Sequence, residues 1–351
     1  MKTTTEPTPS SYYDDARPRP TQRLLVRDQG IVLPYGTGPL DCDYLGARDV
    51  WVFGHDGKFY MHYDGAGPKG WLACLAVSDN LTDWKPLGPV LNFGPPGSVD
   101  CGSASYGTTY YDGARWHMFY LGTPNVSEAP YFVPAFPYQT LKATAGSPMG
   151  PWTKAPGLRP WVTAPGTLCE SSASPGQILR LPNGEYVQYI AASTGGFGGR
   201  TVQRTLAIVR TRDLDGEWTL DPEPILPLTE QIENSTLYFE ESTGLWYLFT
   251  NHVGRRKGFE SCDAIWVYWS RDPEKWDANN KAIALDYEHG TVSKDTIGLP
   301  SVIRHGDRLA LFYDAPDQPA TDRLLCHMRR HICLAWIDLT KPLISQLQPV
   351  L

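Results

Sequence analysis

No apolar stretch of the 351-residue chain approaches the roughly 18 residues that a membrane-spanning helix requires. No run of lysine or arginine occurs, and the net charge is −7, which argues against nucleic acid as a main partner. The short clusters Arg255-Arg256-Lys257 and Arg329-Arg330 read as loop charges. No dozen residues repeat apolar positions at helical spacing, so a helical bundle is excluded as the fold class. Seven cysteines are present, an odd number without any Cys-x-x-Cys pair, and free buried thiols are expected. The segment "MKTTTEPTPSSYYDDARPRP" lacks the apolar core of a signal peptide, and residues 1–22 read as a flexible arm. That expectation fits a cytoplasmic protein, or a secreted or periplasmic one whose leader has been removed.

What the chain does have is turn residues and aromatics. Its 33 Gly, 31 Pro, 12 Trp and 19 Tyr suit many short strands joined by tight turns. "DVWVFGHDGKFYMHYDG", from Asp49 to Gly65, is a hairpin pattern around an Asp-Gly turn. The same pattern returns as "GTTYYDGARWHMFYLG", "GQILRLPNGEYVQYIA", "STLYFEESTGLWYLFT" and "PSVIRHGDRLALFYD". The turn glycines, Gly57, Gly113, Gly184, Gly244 and Gly306, are spaced by 56, 71, 60 and 62 residues. A second strand pair follows each hairpin, from "WLACLAVSDNLTDWKPLGPVL" in the first unit to "ICLAWIDLTKP" in the last. Repeated four-strand units predict an all-β, five-bladed β-propeller with four-stranded antiparallel blades, occupying residues 23–351. "QGIVLP" resembles the blade-ending segments and is expected to pair with the last blade, covering exposed edges. Trp84, Trp152, Trp218 and Trp276 recur at one place per unit and are expected to pack between blades.

Each blade entry carries acids. Asp41, Asp43 and Asp49 precede the first inner strand, followed in later blades by Asp100, Glu170, Glu233 and Asp295. One carboxylate per blade at equivalent positions converges several on one mouth of the channel. Crowding and burial separate their pKa values, giving the proton donor and the ionised carboxylate that acetal hydrolysis requires. The alternative for any one of them is a structural role at a strand end.

With these residues in view, the chain resembles the five-bladed propeller glycosidases: family 43, with family 117 and the fructosidases as relatives. In family 43 an Asp opening the first inner strand, before a "D-G-K-Y-Y" turn, is the general base. Asp49, followed by Asp56-Gly57-Lys58-Phe59-Tyr60, matches it, with Asp43 as a rival. The family's general acid is a Glu entering a later inner strand, matched by Glu233 although the Gly-Pro that follows it in the family is absent. The family's third carboxylate has no direct match, because its "A-P-D" stands here as Ser174-Pro175-Gly176, and Glu170 and Asp100 remain candidates. The resemblance implies an exo-acting hydrolase releasing a terminal sugar, arabinofuranosidase- or xylosidase-like, with inversion.

Around these acids, Arg48 is placed to pair with Asp49, and Trp71, Phe132 and Phe197 stand in loops that would wall the pocket. His252, His289 and Asp295 are further candidates for sugar hydroxyls. No motif requires a cofactor, while the resemblance leaves room for a structural or channel metal ion. The expected partner is an oligosaccharide or glycoside, with neither nucleic acid nor membrane. The competing readings are a phosphorylase or transglycosidase, whose phosphate site would draw on Arg48, Arg255, Arg256 and Lys257, and a non-catalytic carbohydrate-binding propeller.

Overall fold

The computed structural model describes residues 18–155, 161, 163–196, 200, 202–256, 259–293, 295–321 and 324–350. Residues 1–17, Phe197 and Lys257 lie outside the described residues, as do the side chains of Arg255 and Arg256. Regular structure is almost wholly β, interrupted by 3-10 turns of three or four residues.

Five successive antiparallel units follow the five hairpins. Unit one is β3 (Gly46–His55), β4 (Lys58–Gly67), β5 (Gly70–Ser78) and β6 (Lys85–Pro89). Unit two is β7 (Ser103–Tyr111), β8 (Trp116–Thr123), β9 (Gln139–Ala145) and β10 (Thr153–Lys154). In unit three the inner strand breaks around Pro175, whose missing N–H interrupts the ladder, into β11 (Ser172–Ser174) and β12 (Ile178–Arg180). Both pair with β13 (Tyr186–Thr194), which leads to β14 (Gln203–Thr211) and β15 (Thr219–Leu220). Unit four is β16 (Ile232–Glu240), β17 (Leu245–Arg256), β18 (Phe259–Ser270) and β19 (Lys281–Asp286).

Unit five has only three strands of its own, β20 (Gly298–His305), β21 (Arg308–Pro316) and β22 (Arg330–Asp338). Its fourth comes from the other end of the chain, as "QGIVLP" predicts: β2 (Arg27–Leu33) pairs with β22. A second N-terminal strand, β1 (Gln22–Leu24), lies parallel to β19 and antiparallel to β23 (Leu347–Pro349). No repeat-based reading anticipates that pairing, because three residues carry no periodicity.

Hydrogen bonds cross between all neighbouring units. Asp64 of unit one accepts the Tyr106 N–H of unit two, and Thr108 reaches the Gly176 carbonyl of unit three at 3.1 Å. Gln177 accepts the Leu237 N–H of unit four at 2.6 Å, and Thr236 that of Val302 in unit five at 3.2 Å. Ser301 then accepts the N–H of Val52 in unit one at 2.9 Å. The recurring tryptophans pack backward in the same order. Trp84 meets Phe312 of unit five with ring centroids at 5.7 Å, Trp152 meets His62 of unit one at 5.9 Å, and Trp218 meets Phe119 of unit two at 5.5 Å. Trp276 joins Val187 and Tyr189 of unit three in one apolar cluster. Each therefore covers the second strand of the preceding unit, where burying a large apolar side chain contributes about 1.5–3 kcal/mol. All seven cysteines are unbridged.

Candidate active site

At the entry to four inner strands the ladder slips by one residue: between Arg48 and Trp51, Ser105 and Gly107, Glu233 and Ser235, and Gly298 and Ser301. Within each slip one residue has positive φ: Asp49 at 54°, Tyr106 at 37°, Asn234 at 54° and Leu299 at 52°. Such angles are uncommon for side chains other than glycine; Asp and Asn tolerate them best, whereas Tyr106 and Leu299 must be held there by their surroundings. The slip re-aims the strand, as β-bulges beside active sites do. Three residue pairs, Arg48-Asp49, Ser105-Tyr106 and Glu233-Asn234, thereby reach one cleft that opens to solvent.

Asp49 and Glu233 come from units one and four and line this cleft together. The Arg48 Nε donates to Asp49 at 2.9 Å, while its guanidinium lies 5.5 Å from the centre of the Trp71 ring. The other end of Arg48 donates to the Nδ1 of His327 at 2.7 Å. A guanidinium can only donate, so His327 is held as the neutral tautomer with its proton on Nε2. Burial, followed by the charges of Arg48, Arg330 and Arg204, moves its pKa well below the usual histidine value. Glu233 is ion-paired with Arg204, whose guanidinium lies 5.4 Å from the centre of the Phe136 ring.

Beside Asp49 stands a carboxylate that the entry-acid pattern misses. Asp64, at the end of β4, is 2% exposed and lines the cleft. Burial, then the charge of Asp49 and a hydrogen bond with it, raise its pKa well above the usual carboxylate range. Asp64 therefore holds a proton above the usual carboxylate range. Tyr106 faces this group, and burial followed by the charges of Asp49, Asp64 and Glu233 raises its phenol. Asp64, Tyr106, Arg204 and His327 were all invisible to a search for acids at strand entries. Asp64 does leave one trace: "HYDG" and "FYDA" end the second strands of units one and five alike.

The remaining candidates are placed as follows. Trp71 lines the cleft, its Nε1 donating to the Tyr131 carbonyl at 3.0 Å. The long loop of unit two supplies Val133, Pro134 and Tyr138 to the wall, whereas Phe132 of that loop is outside the lining. Asp43 is fully buried and holds its own loop, accepting from Gly38 N–H at 2.9 Å and Tyr63 Oη at 3.2 Å. Asp100 is tied to Lys154 at 2.6 Å and Tyr120 at 2.9 Å; burial alone would raise its pKa, but Lys154, Ser98 and Tyr120 together outweigh it and the net shift is downward. Glu170 is ion-paired with Arg200, which lowers its pKa, and accepts from Thr194 and Gly195. Asp295 accepts the Ala320 N–H at 3.1 Å. His252 is stacked on Trp266 at 4.1 Å and bonded to Asp263, and His289 binds Asp286 and Arg23 near β1. These six residues lie outside the cleft lining and satisfy local donors and charges, so the acids at the entries do not all converge. The cause is direction: the positive-φ bulge turns Asp49 and its neighbours inward, whereas Asp43, Asp100 and Asp295 precede the bulges and Glu170 precedes an inner strand without one. Among the described residues no group of three or more His, Cys, Asp or Glu is placed to hold a metal ion.

Similar architectures recur among solved structures. A complex of BT0996 with RGII superposes with a TM-score of 0.67 at 17% identity, covering 90% of this chain and 93% of that one. The catalytic domain of the GH62 α-L-arabinofuranosidase of Coprinopsis cinerea gives 0.64 at 11% identity, covering 90% and 97%. The family 117 glycoside hydrolase Zg3597 of Zobellia galactanivorans gives 0.60 at 13% identity, covering 91% and 93%. The likeness is one of fold. No family model matches the sequence, and no curated protein does.

Proposed function

We propose that the chain is a glycoside hydrolase built as a five-bladed propeller and that Asp49 and Glu233 are its reacting carboxylates. The order of inter-unit hydrogen bonds, which returns from unit five to unit one, supports the ring. The observation that carries the chemistry is the pair of carboxylates from units one and four in one open cleft, on the fold of sugar-cleaving enzymes. Glu233 protonates the leaving oxygen, and Asp49 takes a proton from the water that attacks the anomeric carbon, with inversion. Trp71, Tyr138 and the long loop of unit two wall the site around one terminal sugar. The names of the similar structures favour arabinofuranosides and RGII-type oligosaccharides as first substrates. A phosphorylase is disfavoured because Arg48 and Arg204 are each engaged with a carboxylate.

One observation favours the reverse assignment. Glu233 is ion-paired with Arg204, whereas Asp64, beside Asp49, has its pKa raised by burial and by the charge of Asp49. Glu233 would then be the base and the Asp pair the acid. Hydrolysis of a panel of aryl arabinofuranosides, xylosides, galactosides, fucosides and fructosides by Glu233→Ala and Asp49→Ala separates the two. Removing a positioned acid or base costs roughly 10² to 10⁴ in rate. The variant lacking the acid keeps appreciable activity on very acidic leaving groups, and the variant lacking the base is slow on all of them. Near-full activity in both variants, or no turnover of any glycoside by the native protein, would overturn the proposal.

A further inference from the structure

The residue opposite the start of each bulge follows a rule. Arg48, Glu233 and Gly298 pair across their hairpins with Asp64, Asn251 and Asp314, at one register position in β4, β17 and β21. The backbone N–H that each side-chain oxygen accepts is not that of the bulge in its own unit. Each accepts the N–H of the positive-φ residue in the next unit around. Asp64 takes Tyr106, Asn251 takes Leu299 at 2.6 Å, and Asp314 takes Asp49 at 3.1 Å. The fourth such position, in unit two, is Leu121, opposite Ser105. It cannot accept, and the next inner strand breaks at Pro175, which has no N–H to donate.

We infer that Asp314 is a positioning residue for the reaction, holding Asp49 in the left-handed conformation that aims its carboxylate into the cleft. This rests on the reading of Asp49 as a reacting group. Asp314 is fully buried and is itself fixed by Arg330, which binds its carboxylate and donates to its carbonyl at 3.1 Å. An Asp held at φ 54° lacks the conformational freedom of glycine. Without an acceptor for its part-buried N–H, the bulge relaxes toward a conformation that satisfies that donor elsewhere. The geometry of unit one's catalytic residue is thus set by unit five, and only the acceptor oxygen is needed, since Asn251 performs the same task without charge.

Crystal structures and kinetics of Asp314→Asn and Asp314→Ala test this. Asp314→Asn, which keeps the acceptor, should retain Asp49 at positive φ and kcat within about threefold of the native value. Asp314→Ala should release Asp49 and lower kcat by roughly 10- to 100-fold on the most reactive aryl glycoside, with KM within about twofold. An Asp49 that stays in place in Asp314→Ala overturns the inference whatever the activity, and so does an Asp49 displaced equally in Asp314→Asn. If Asp49 moves while kcat holds, Asp49 is not the reacting group, and it is the functional reading that fails. Should Asp314→Ala not fold, Asp314→Asn decides alone through the position of Asp49.

Discussion

Asp64 holds its proton because it is buried beside Asp49, and above acidic pH that burial destabilises the folded state. Below about pH 4, the usual Asp pKa, the carboxyl is protonated in folded and unfolded chains alike. Above it the unfolded chain ionises freely and the folded one does not, so stability falls as pH rises from there toward the raised folded pKa. Asp64→Asn removes that penalty and keeps an oxygen for the Tyr106 N–H. Its melting temperature relative to the native protein should therefore rise between pH 4 and pH 7, and a pH-independent difference would contradict the burial argument. At this scale the sequence was partly legible. Asp49 and Glu233 could be picked out because they open strands that repeat. Asp64 and Asp314 could not, since their importance lies in cross-strand register and in a neighbour 42 or 265 positions away.

The hairpins were the most legible elements, because Asp-Gly and Asn-Gly turns state both a location and a geometry. Gly57, Gly113 and Gly184 all have positive φ, at 75°, 100° and 81°. The entry bulges were not legible, since Tyr106 and Leu299 are residues that avoid such angles when left to themselves. Unit three departs furthest from the repeat, and Gly176 explains how its broken inner strand still packs. A Cβ there would overlap the Tyr189 carbonyl oxygen of the adjacent strand, and the Gly176 carbonyl also receives Gln188 at 2.7 Å. Gly176→Ala should lower stability by about 1–3 kcal/mol, the usual range for overpacking a close backbone approach. Urea unfolding measures it, and a midpoint unchanged from the native protein would mean that the strand can retreat. The cleft itself should feel the change, because Ser174, two residues earlier, lines it.

Across the whole molecule, the arrangement depends on strands from opposite ends of the chain. β2 completes unit five, and its removal would leave one side of β22 as an unpaired edge inviting association between chains. Removing residues 1–33 should therefore give aggregated or poorly folded protein, measured by gel filtration and thermal melting. A monomer with native stability would show that β2 is dispensable. The expectation that an N-terminal segment closes the last unit was accessible from the likeness of "QGIVLP" to the blade-ending segments, whereas the contribution of β1 to unit four was not.

The β2–β22 pairing also carries a consequence in time. On a ribosome, β2 emerges roughly 300 residues before its partner, so it must wait, unpaired, for a strand made much later. Units one to four can form local hairpins as they appear, but the fifth cannot be finished until β22 has been made. Pairings of such long sequence separation form slowly, and during that interval β2 is an exposed strand for chaperones to shield.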